Sequence, residues 1–362
     1  MNCTRHSTRP IAHAGAITLM LTLLLALAGS VAASSYLYLA EEMFFERQPS
    51  ARAEAMGKGL VAVAGDPFAS YYNPAGLAAL EGVTASGAHA SPLYLSKEAK
   101  YTFAGGAIQA FKCGVVGFSD YRFHFDIDQT GLHGETEKGH AEDALQTLTL
   151  GTSRISGMLL GVNLSRFHLD WPVVGVDASA YWMDLGALKE LALPGAGPVA
   201  QSLAFGSCIQ NLTAAWLKVG DSSWPLPVIL RVGTCYKATW SAGAPGCLNP
   251  AEAMVTLEYQ DLINSKYYGT VRVGGEVKAL EIVALRAGYY RERDYDFGGP
   301  REIKEDFTYG FGVEAPLDKL SPHKIPIRIS FGITKLEQPS TLRNPHHWPD
   351  FTDYSLSVNW VY

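Results

Sequence analysis

The sequence predicts an all-β fold, a transmembrane antiparallel β-barrel of about 14 strands with an N-terminal hatch or plug segment. Three observations predict it. Apolar and polar residues alternate through most of the second half of the chain, and the polar positions are rich in Gly, Ser and Thr. After residue 33 no stretch is apolar for long enough to form a membrane helix. A chain that crosses a membrane without such a helix crosses it as a closed barrel.

The first 33 residues are typical of a secretory signal peptide. Arg5 and Arg9 precede an apolar run from Gly15 to Ala28, and small residues in an A-x-A-like arrangement follow it. The run is shorter than the roughly 20 residues of a spanning helix. We therefore expect cleavage and a mature chain that begins near Ser34.

Composition excludes some classes of partner. Without the leader, 27 basic residues face 35 acidic ones, a formal net charge of −8, and such a chain is not expected to bind nucleic acid. Four cysteines remain, with three possible pairings: Cys113, Cys208, Cys235 and Cys247. A Cys235–Cys247 disulfide and buried free thiols are both open. No C-x-x-C spacing indicates a zinc or redox site, so we expect no metal and no cofactor.

Period-2 alternation places the strands. In the last segment Tyr354, Leu356 and Val358 share one face with Trp360 and Tyr362, the aromatic C-terminal end that we expect to act as the assembly signal. Fourteen strands are expected to begin near Val83, Tyr101, Cys113, Ala144, Gly157, Val174, Ala204, Leu226, Ala251, Tyr268, Glu281, Asp306, His323 and Thr352.

Two features favour a membrane barrel over a soluble sandwich. Aromatic residues recur at segment ends, as expected of interfacial belts: Tyr101, Phe111, Phe118, Tyr121, Trp182, Trp216, Tyr236, Tyr289, Tyr290 and Trp360. The polar face carries isolated charges of both signs, which suit a lumen: Glu258, Arg272, Glu276, Arg286, Glu314 and Arg328.

An even strand count puts both barrel ends on the periplasmic side. The outer side then receives long connections, at Arg122 to Asp143, Arg291 to Glu305 and Leu336 to Phe351. Ala187 to Leu203 and Lys237 to Pro250 are longer than periplasmic turns should be, which leaves the strand register in the middle of the chain open.

Residues 34–82 precede the barrel at 83–362 and do not alternate, so we expect them to form the hatch. Ala53 to Met56 favours a short helix that ends at flexible backbone, and an Asn-Pro turn follows. The hatch glycines are Gly57 and Gly59, and the hatch turn is Asn73, Pro74, Ala75 and Gly76. Two roles are possible for Phe68, Tyr71, Tyr72 and Leu77: contact with a ligand, or packing of the plug against the wall.

The stretch "SARAEAMGKGLVAVAGDPFASYYNPAGLAAL" resembles the N-terminal signature of the PorV/PorQ and FadL-like outer-membrane barrels, an A-R-A-x-x-M-G-x-G run followed by an Asn-Pro-Ala turn. Gly65-Asp66-Pro67 departs from the acidic pair that is more usual there. The stretches "CIQNLTAAW", "PLPVILRVGTCYK" and "LEIVALRAGYY" are similar to later strands of the family.

The resemblance implies a fourteen-stranded barrel with a plug, but two kinds of function. FadL-like members pass hydrophobic small molecules, whereas PorV-like members serve secretion and surface attachment of proteins. We favour passage, with secreted proteins as the alternative partners. Outer-membrane lipid and the barrel-assembly machinery are expected partners in either case.

An outer-membrane hydrolase is a remote third hypothesis. His124, Asp126 and Asp128 fall in one expected outer loop, and four further His and Asp residues in another: His346, His347, Asp350 and Asp353. No G-x-S-x-G or S-x-x-K nucleophile motif accompanies them. We therefore expect no catalytic residue.

Overall fold

The computed structural model describes residues 47–90, 99–112, 114–130, 136–155, 157–241, 246–263, 269–293, 303–336 and 351–361. The predicted leader, residues 34–46 and Tyr362 lie outside these ranges. Within them, fourteen antiparallel strands close into a barrel, with a separate hairpin between two of its strands. The predicted fold class is confirmed.

The barrel strands run in chain order around the wall. They are β1 Val83–Ala90, β2 Lys100–Phe111, β3 Gly114–Thr130, β4 Thr136–Ile155, β5 Met158–Trp171, β6 Val176–Ala196, β7 Val199–Gln210, β10 Ile229–Trp240, β11 Ala251–Leu262, β12 Gly269–Ala279, β13 Val283–Arg293, β14 Ile303–Pro316, β15 Ile327–Leu336 and β16 Phe351–Trp360. The hairpin strands are β8 Trp216–Val219 and β9 Ser222–Pro225.

The first and last strands close the wall. In β1 and β16, Val83 lies opposite Trp360 and His89 lies opposite Tyr354, while β16 pairs with β15 on its other side. Without β16, the edges of β1 and β15 would present unpaired backbone N–H and C=O groups to their surroundings. The alternating C-terminal segment therefore completes the barrel.

The wall has an apolar outer face and a polar inner face. In β11, Val255 and Leu257 are 53% and 52% exposed, whereas Thr256 and Glu258 between them are buried. The same alternation holds in β12 to β16, where Val273, Leu285 and Phe307 are among the exposed apolar side chains. Strands β11 to β16 therefore turn most of their apolar positions away from the lumen, as period 2 predicts.

The predicted aromatic belt is partly wrong. Phe118, Trp216, Tyr236 and Trp360 are exposed, but four of its members are buried inside the barrel: Tyr101, Tyr121, Trp182 and Tyr290. Successive strand residues point to opposite faces. Whether an aromatic residue faces outward or inward therefore depends on its place in the alternation of faces. Its nearness to a strand end does not decide this.

Two stretches that were expected to be connections are mostly strand. Ala187 to Leu203 forms the adjoining parts of β6 and β7, joined only by residues 197–198, so the register there is regular up to a shift near Leu193. Most of Arg122 to Asp143 belongs to β3 and β4, whose pairing continues to Thr130 and Thr136. These long strands extend past their neighbours and replace the expected loops.

The two barrel ends differ. We call the end with connections 112–113, 156–157, 197–198, 241–250, 280–282 and 317–326 the turn end, and the opposite end the loop end. The loop end carries the longest connections, including residues 337–350 and the β8–β9 hairpin at 211–228. The expected asymmetry is thus present, with two ten-residue connections at the turn end.

Residues 47–82, which we call the inner segment, lie inside the barrel. They contain the short helices Ala51–Ala55 and Ala69–Tyr72 and the 3-10 helix Pro74–Ala79. Ser50 caps the first, since its Oγ accepts from the Arg52 backbone N–H at 3.2 Å. Elsewhere the structure has the 3-10 helix Pro172–Val174 and the helix Leu317–Leu320. No described helix combines the length and apolar character needed to cross a bilayer.

If the outer face contacts lipid, a charge there destabilises the barrel. Leu257→Arg, in the middle of β11, is expected to lower the free energy of unfolding by about 2–4 kcal/mol in lipid vesicles. Leu320→Arg, exposed in the turn-end helix, should leave it nearly unchanged. Equal, small effects of the two substitutions in urea unfolding would show that the outer face does not contact lipid.

Candidate functional site

Glycines on the wall seat the inner segment. A Cβ at any of nine inward positions would meet it within 3.1 Å: Gly117, Gly151, Gly161, Gly186, Gly206, Gly233, Gly274, Gly288 and Gly310. At Gly161 the added atom would collide with the Pro74 carbonyl, and at Gly288 with the Gly57 backbone nitrogen. Only residues without a side chain let the two backbones approach this closely.

Wall side chains satisfy the backbone of the inner segment. Asn163 Nδ2 donates to the Ser70 carbonyl at 2.8 Å, and Gln210 Nε2 donates to the Tyr71 carbonyl at 2.7 Å. Glu258 Oε2 accepts from the Val61 N–H at 2.9 Å. A segment enclosed in a barrel needs such partners because its short helices leave many backbone groups unpaired.

Thr308 makes a similar contact on β14. Its Oγ1 accepts from the Gly57 N–H and donates to the Ala55 carbonyl, both at 2.9 Å. Gly57 has φ +63° and lies against the wall backbone, so it has to be glycine. A Cβ at Gly59 would lie 3.3 Å from that of Arg272, so Gly59 is less constrained.

The predicted Asn-Pro turn holds the C-terminal part of the inner segment in place. Asn73 is extended and its Oδ1 accepts from the Ala75 N–H at 3.1 Å, which caps the 3-10 helix that Pro74 begins. Its Nδ2 donates to the carbonyls of Val61 at 2.7 Å and of Ala187 on β6 at 3.2 Å. One amide therefore joins two parts of the inner segment to the wall. Gly76 packs tightly, since a Cβ there would lie 2.8 Å from that of Ala69.

Ion pairs hold the N-terminal part of the inner segment against the wall. Arg52 Nη2 lies 2.7 Å from Glu276 Oε1 on β12, and its Nη1 lies 3.1 Å from Asp66 Oδ2. Glu276 also accepts from Arg286 Nε at 2.6 Å. Burial disfavours the charged form of Arg52, but the Glu276 and Asp66 carboxylates outweigh burial and raise the pKa of its guanidinium. The pair therefore links the inner segment to the wall as two full charges.

The other predicted lumen charges also face inward. Glu258 Oε1 lies 3.3 Å from Arg272 Nη1, and both residues are buried. Lys278 approaches Glu314 at 3.1 Å, and Arg328 approaches Asp318 at 3.0 Å, nearer the turn end. Sequence reasoning missed the buried pair in which Arg47 Nη2 lies 3.1 Å from Asp353 Oδ1.

Aromatic rings line the opposite side of the lumen. Tyr71 of the inner segment meets Tyr121 at 5.4 Å between ring centroids, and Tyr121 meets Tyr101 at 5.7 Å. From Tyr101 the series continues through Phe123, Phe125 and Trp171, with successive centroids 4.4, 4.9 and 5.8 Å apart. We call these six rings the aromatic path, which leads from the inner segment toward the loop end.

The predicted contact residues divide between this path and packing. Phe68 lies 5.0 Å from Phe103 beside the path, and Tyr72 meets Tyr71 edge-on at 5.6 Å. Leu77 belongs to a separate buried cluster on the far side of the segment, with Ala69, Leu80, Ala107 and Val115. It therefore seats the segment against β2 and β3.

The lumen is closed in this conformation. Beside Tyr71, Phe103 and Trp182 only about 20 Å³ is free, space for about one water molecule. Leu226, which follows β9, covers this cavity. A cavity of about 760 Å³ lies near the loop end of β2 to β5. Most of its lining side chains, including His124 and Asp126, alternate with the buried Tyr121 and Phe123, so they lie on the outer face of the wall.

Of the residues considered for catalysis, His124 and Asp126 line the same cavity near the loop end, whereas Asp353 lies apart from them. His124, Asp126 and Asp128 lie on β3. Asp353 lies on β16 and is paired with Arg47 of the inner segment. His346, His347 and Asp350 lie outside the described ranges. No described group of three His, Cys, Asp or Glu side chains is placed to hold a metal ion.

The cysteines are not paired in the part of the chain that the structure describes. Cys208, Cys235 and Cys247 are free thiols, so the Cys235–Cys247 disulfide is absent, and Cys113 lies outside the described residues. Cys208 and Cys235 are buried.

No family model and no curated protein matches this chain. Among solved structures it is similar to the Pseudomonas putida toluene transporter TodX, at 12% identity and a TM-score of 0.47 over 88% of this chain and 100% of that one. It is also similar to the CymD monoaromatic hydrocarbon channel, at 10% identity and a TM-score of 0.47 over 88% of this chain and 99% of that one. A third similar structure is a Pseudomonas aeruginosa FadL homologue, at 10% identity and a TM-score of 0.45 over 88% of this chain and 99% of that one. At these identities and TM-scores the similarities say nothing about what this chain binds or passes.

Two adjacent glycines on β12 test whether the inner segment needs glycine where it contacts the wall. A Cβ at Gly274 would overlap the Met56 carbonyl, whereas at Gly275 the nearest atom would be 3.8 Å away. Gly274→Ala should therefore lower the free energy of unfolding by about 1–3 kcal/mol and expose Lys58 to trypsin. Gly275→Ala should behave as the unmodified chain. Identical cleavage rates in the two variants would contradict the seating.

Proposed function

We propose that this chain is an outer-membrane barrel that passes hydrophobic small molecules, with its inner segment as the movable part of a hatch. The aromatic path carries the proposal. It is a continuous series of packed rings from Trp171, near the loop end, to Tyr71, with ring centroids 4.4 to 5.8 Å apart. An apolar molecule would contact these rings once the inner segment moves away from them. The apolar outer face supports a location in lipid.

The nature of the seat supports movement. The inner segment is held mainly by hydrogen bonds, by ion pairs such as Arg52–Glu276 and by contact with glycines, with side-chain packing around Phe68, Tyr71 and Leu77. Sliding along the wall would break polar contacts that water can replace. With only about 20 Å³ free beside Tyr71, passage requires such a displacement.

The remaining assignments follow from this function. Residues 1–33 act as a cleaved signal peptide, 34–82 as the hatch and 83–362 as the barrel, with the turn end in the periplasm. Trp360, which is exposed, and the C-terminal Tyr362 act as the signal for the barrel-assembly machinery. The chain is not an enzyme, since transport through a gated lumen needs no reacting group.

The Asn73-Pro74 turn offers a test with a matched control. Asn73→Ala with Pro74→Ala removes the amide that bonds to Val61 and Ala187, so we expect faster uptake of a radiolabelled alkane or naphthalene into proteoliposomes. The same double change at Asn249-Pro250, an Asn-Pro pair directly before β11, should leave uptake at the unmodified rate. Barrel folding is checked by heat-modifiable migration on a gel.

PorV-like secretion is the competing hypothesis, and the same variants distinguish it. It predicts unchanged uptake in the Asn73/Pro74 variant, impaired delivery of other proteins to the cell surface, and protein partners that co-purify in mild detergent. That combination would contradict passage.

A further inference from the structure

A second cavity lies on the turn-end side of the inner segment. It encloses about 230 Å³ between Arg52 and Asp66 of the inner segment and the inner faces of β12 to β16. We call it the vestibule. Its wall carries hydroxyl and amide groups from β15 and β16, at Ser330, Ser355, Ser357 and Asn359. The space exceeds that of several water molecules, at about 30 Å³ each.

Arg286 is the unusual group of the vestibule. Its side chain is only 9% exposed, and its Nε donates to Glu276 Oε2 at 2.6 Å. Its Nη1 is buried and has no hydrogen-bond partner among the described residues. A buried guanidinium N–H without an acceptor costs more free energy than an unpaired neutral donor.

The wall is shaped around this guanidinium. A Cβ at Gly312 would lie 2.7 Å from Arg286 Nη1, so no larger residue fits there without displacing it. A Cβ at Gly332 would lie 3.3 Å from Nη1 and 3.0 Å from Ser355 Oγ. Nη1 therefore lies against Gly332 and near the Ser355 hydroxyl at the edge of the vestibule, and a ligand oxygen reaches it when these neighbours shift slightly.

The neighbouring cations already have carboxylate partners. Lys278 is paired with Glu314, Arg328 with Asp318, and Arg52 with Asp66 and Glu276. Arg286 shares Glu276 with Arg52, and Asp66 supplies Arg52 with a second carboxylate. Of these four cations, Arg286 is therefore the one without a carboxylate of its own.

We propose that the vestibule binds an oxyanion, a carboxylate or a phosphate, with Arg286 as the main donor and the serine hydroxyls as secondary donors. Charged acceptors make the stronger hydrogen bonds to guanidinium, which favours an oxyanion over a neutral ligand. A free small ion and the carboxylate of a longer apolar molecule supply the same chemistry. The site does not depend on passage, because an anion can reach it from the turn end.

The test is calorimetric titration of the full chain in detergent, with inorganic phosphate and octanoate as probes and octanol as the uncharged control. Arg286→Gln should weaken binding of the anion by about tenfold or more, since a charged hydrogen bond is lost. Glu276 keeps Arg52 in this variant, and heat-modifiable migration verifies that the barrel is folded. Arg122→Gln removes a guanidinium at the loop end, near Asp120 and Glu142, and should change nothing.

A second variant separates a built site from general attraction by charge. Gly332→Ala keeps every charge but narrows the space beside Nη1, so it should also weaken binding. Phosphate binding without octanoate binding would assign the site to free ions, and octanoate binding above that of octanol would assign it to apolar carboxylates. Absence of binding by both anions, or equal affinity in Arg286→Gln and the unmodified chain, would overturn the proposal.

Discussion

The close approach of two backbones is the constraint on which this structure depends. The inner segment fills the lumen only because glycines on nine inward positions leave room for it. Once the backbones are that close, wall side chains such as Asn163, Gln210 and Thr308 reach its peptide groups and satisfy them. Close contact and hydrogen bonding therefore depend on each other, and a side chain at one glycine would disturb both.

The seated segment divides the lumen into two unlike sides. Strands β2 to β6 contribute aromatic rings, including Tyr121, Phe123 and Trp171. Strands β11 to β15 contribute charges, including Glu258, Glu276 and Arg286. The segment presents Tyr71 to the first side and Arg52 to the second. An apolar molecule and an anion would therefore contact different walls of the same barrel.

The strands were largely predictable because period 2 is a local signal. The alternation of Val255 to Glu258 and of Tyr354 to Trp360 gave the correct faces, and the aromatic end was correctly expected to belong to the closing strand. Aromatic residues were less predictable, since Tyr101 and Tyr121 face inward although their positions near strand ends suggested a belt. The lengths of β3 and β4 were missed because their polar extensions resemble loops in composition.

The site was predictable only in part. The Asn73-Pro74 turn is a local motif, and its role in capping follows from residue type. The glycine seat is not local, because Gly161, Gly186 and Gly288 meet the inner segment only after the barrel closes. The polar partners Asn163 and Gln210 carry no sequence signal that distinguishes them from other strand residues. The enrichment of Gly at the polar positions of the strands was the one available indication.

Locking the inner segment to the wall tests most directly whether passage requires its displacement. A Cβ at Gly332 would lie 3.5 Å from that of Ala51, within the range of about 3.5–4.5 Å for a disulfide. We expect the Ala51→Cys, Gly332→Cys barrel to lose uptake of apolar molecules when oxidised and to regain it on reduction, with the unmodified chain unaffected by either treatment. Equal uptake by the oxidised and reduced forms, with the disulfide verified, would contradict a hatch that has to move.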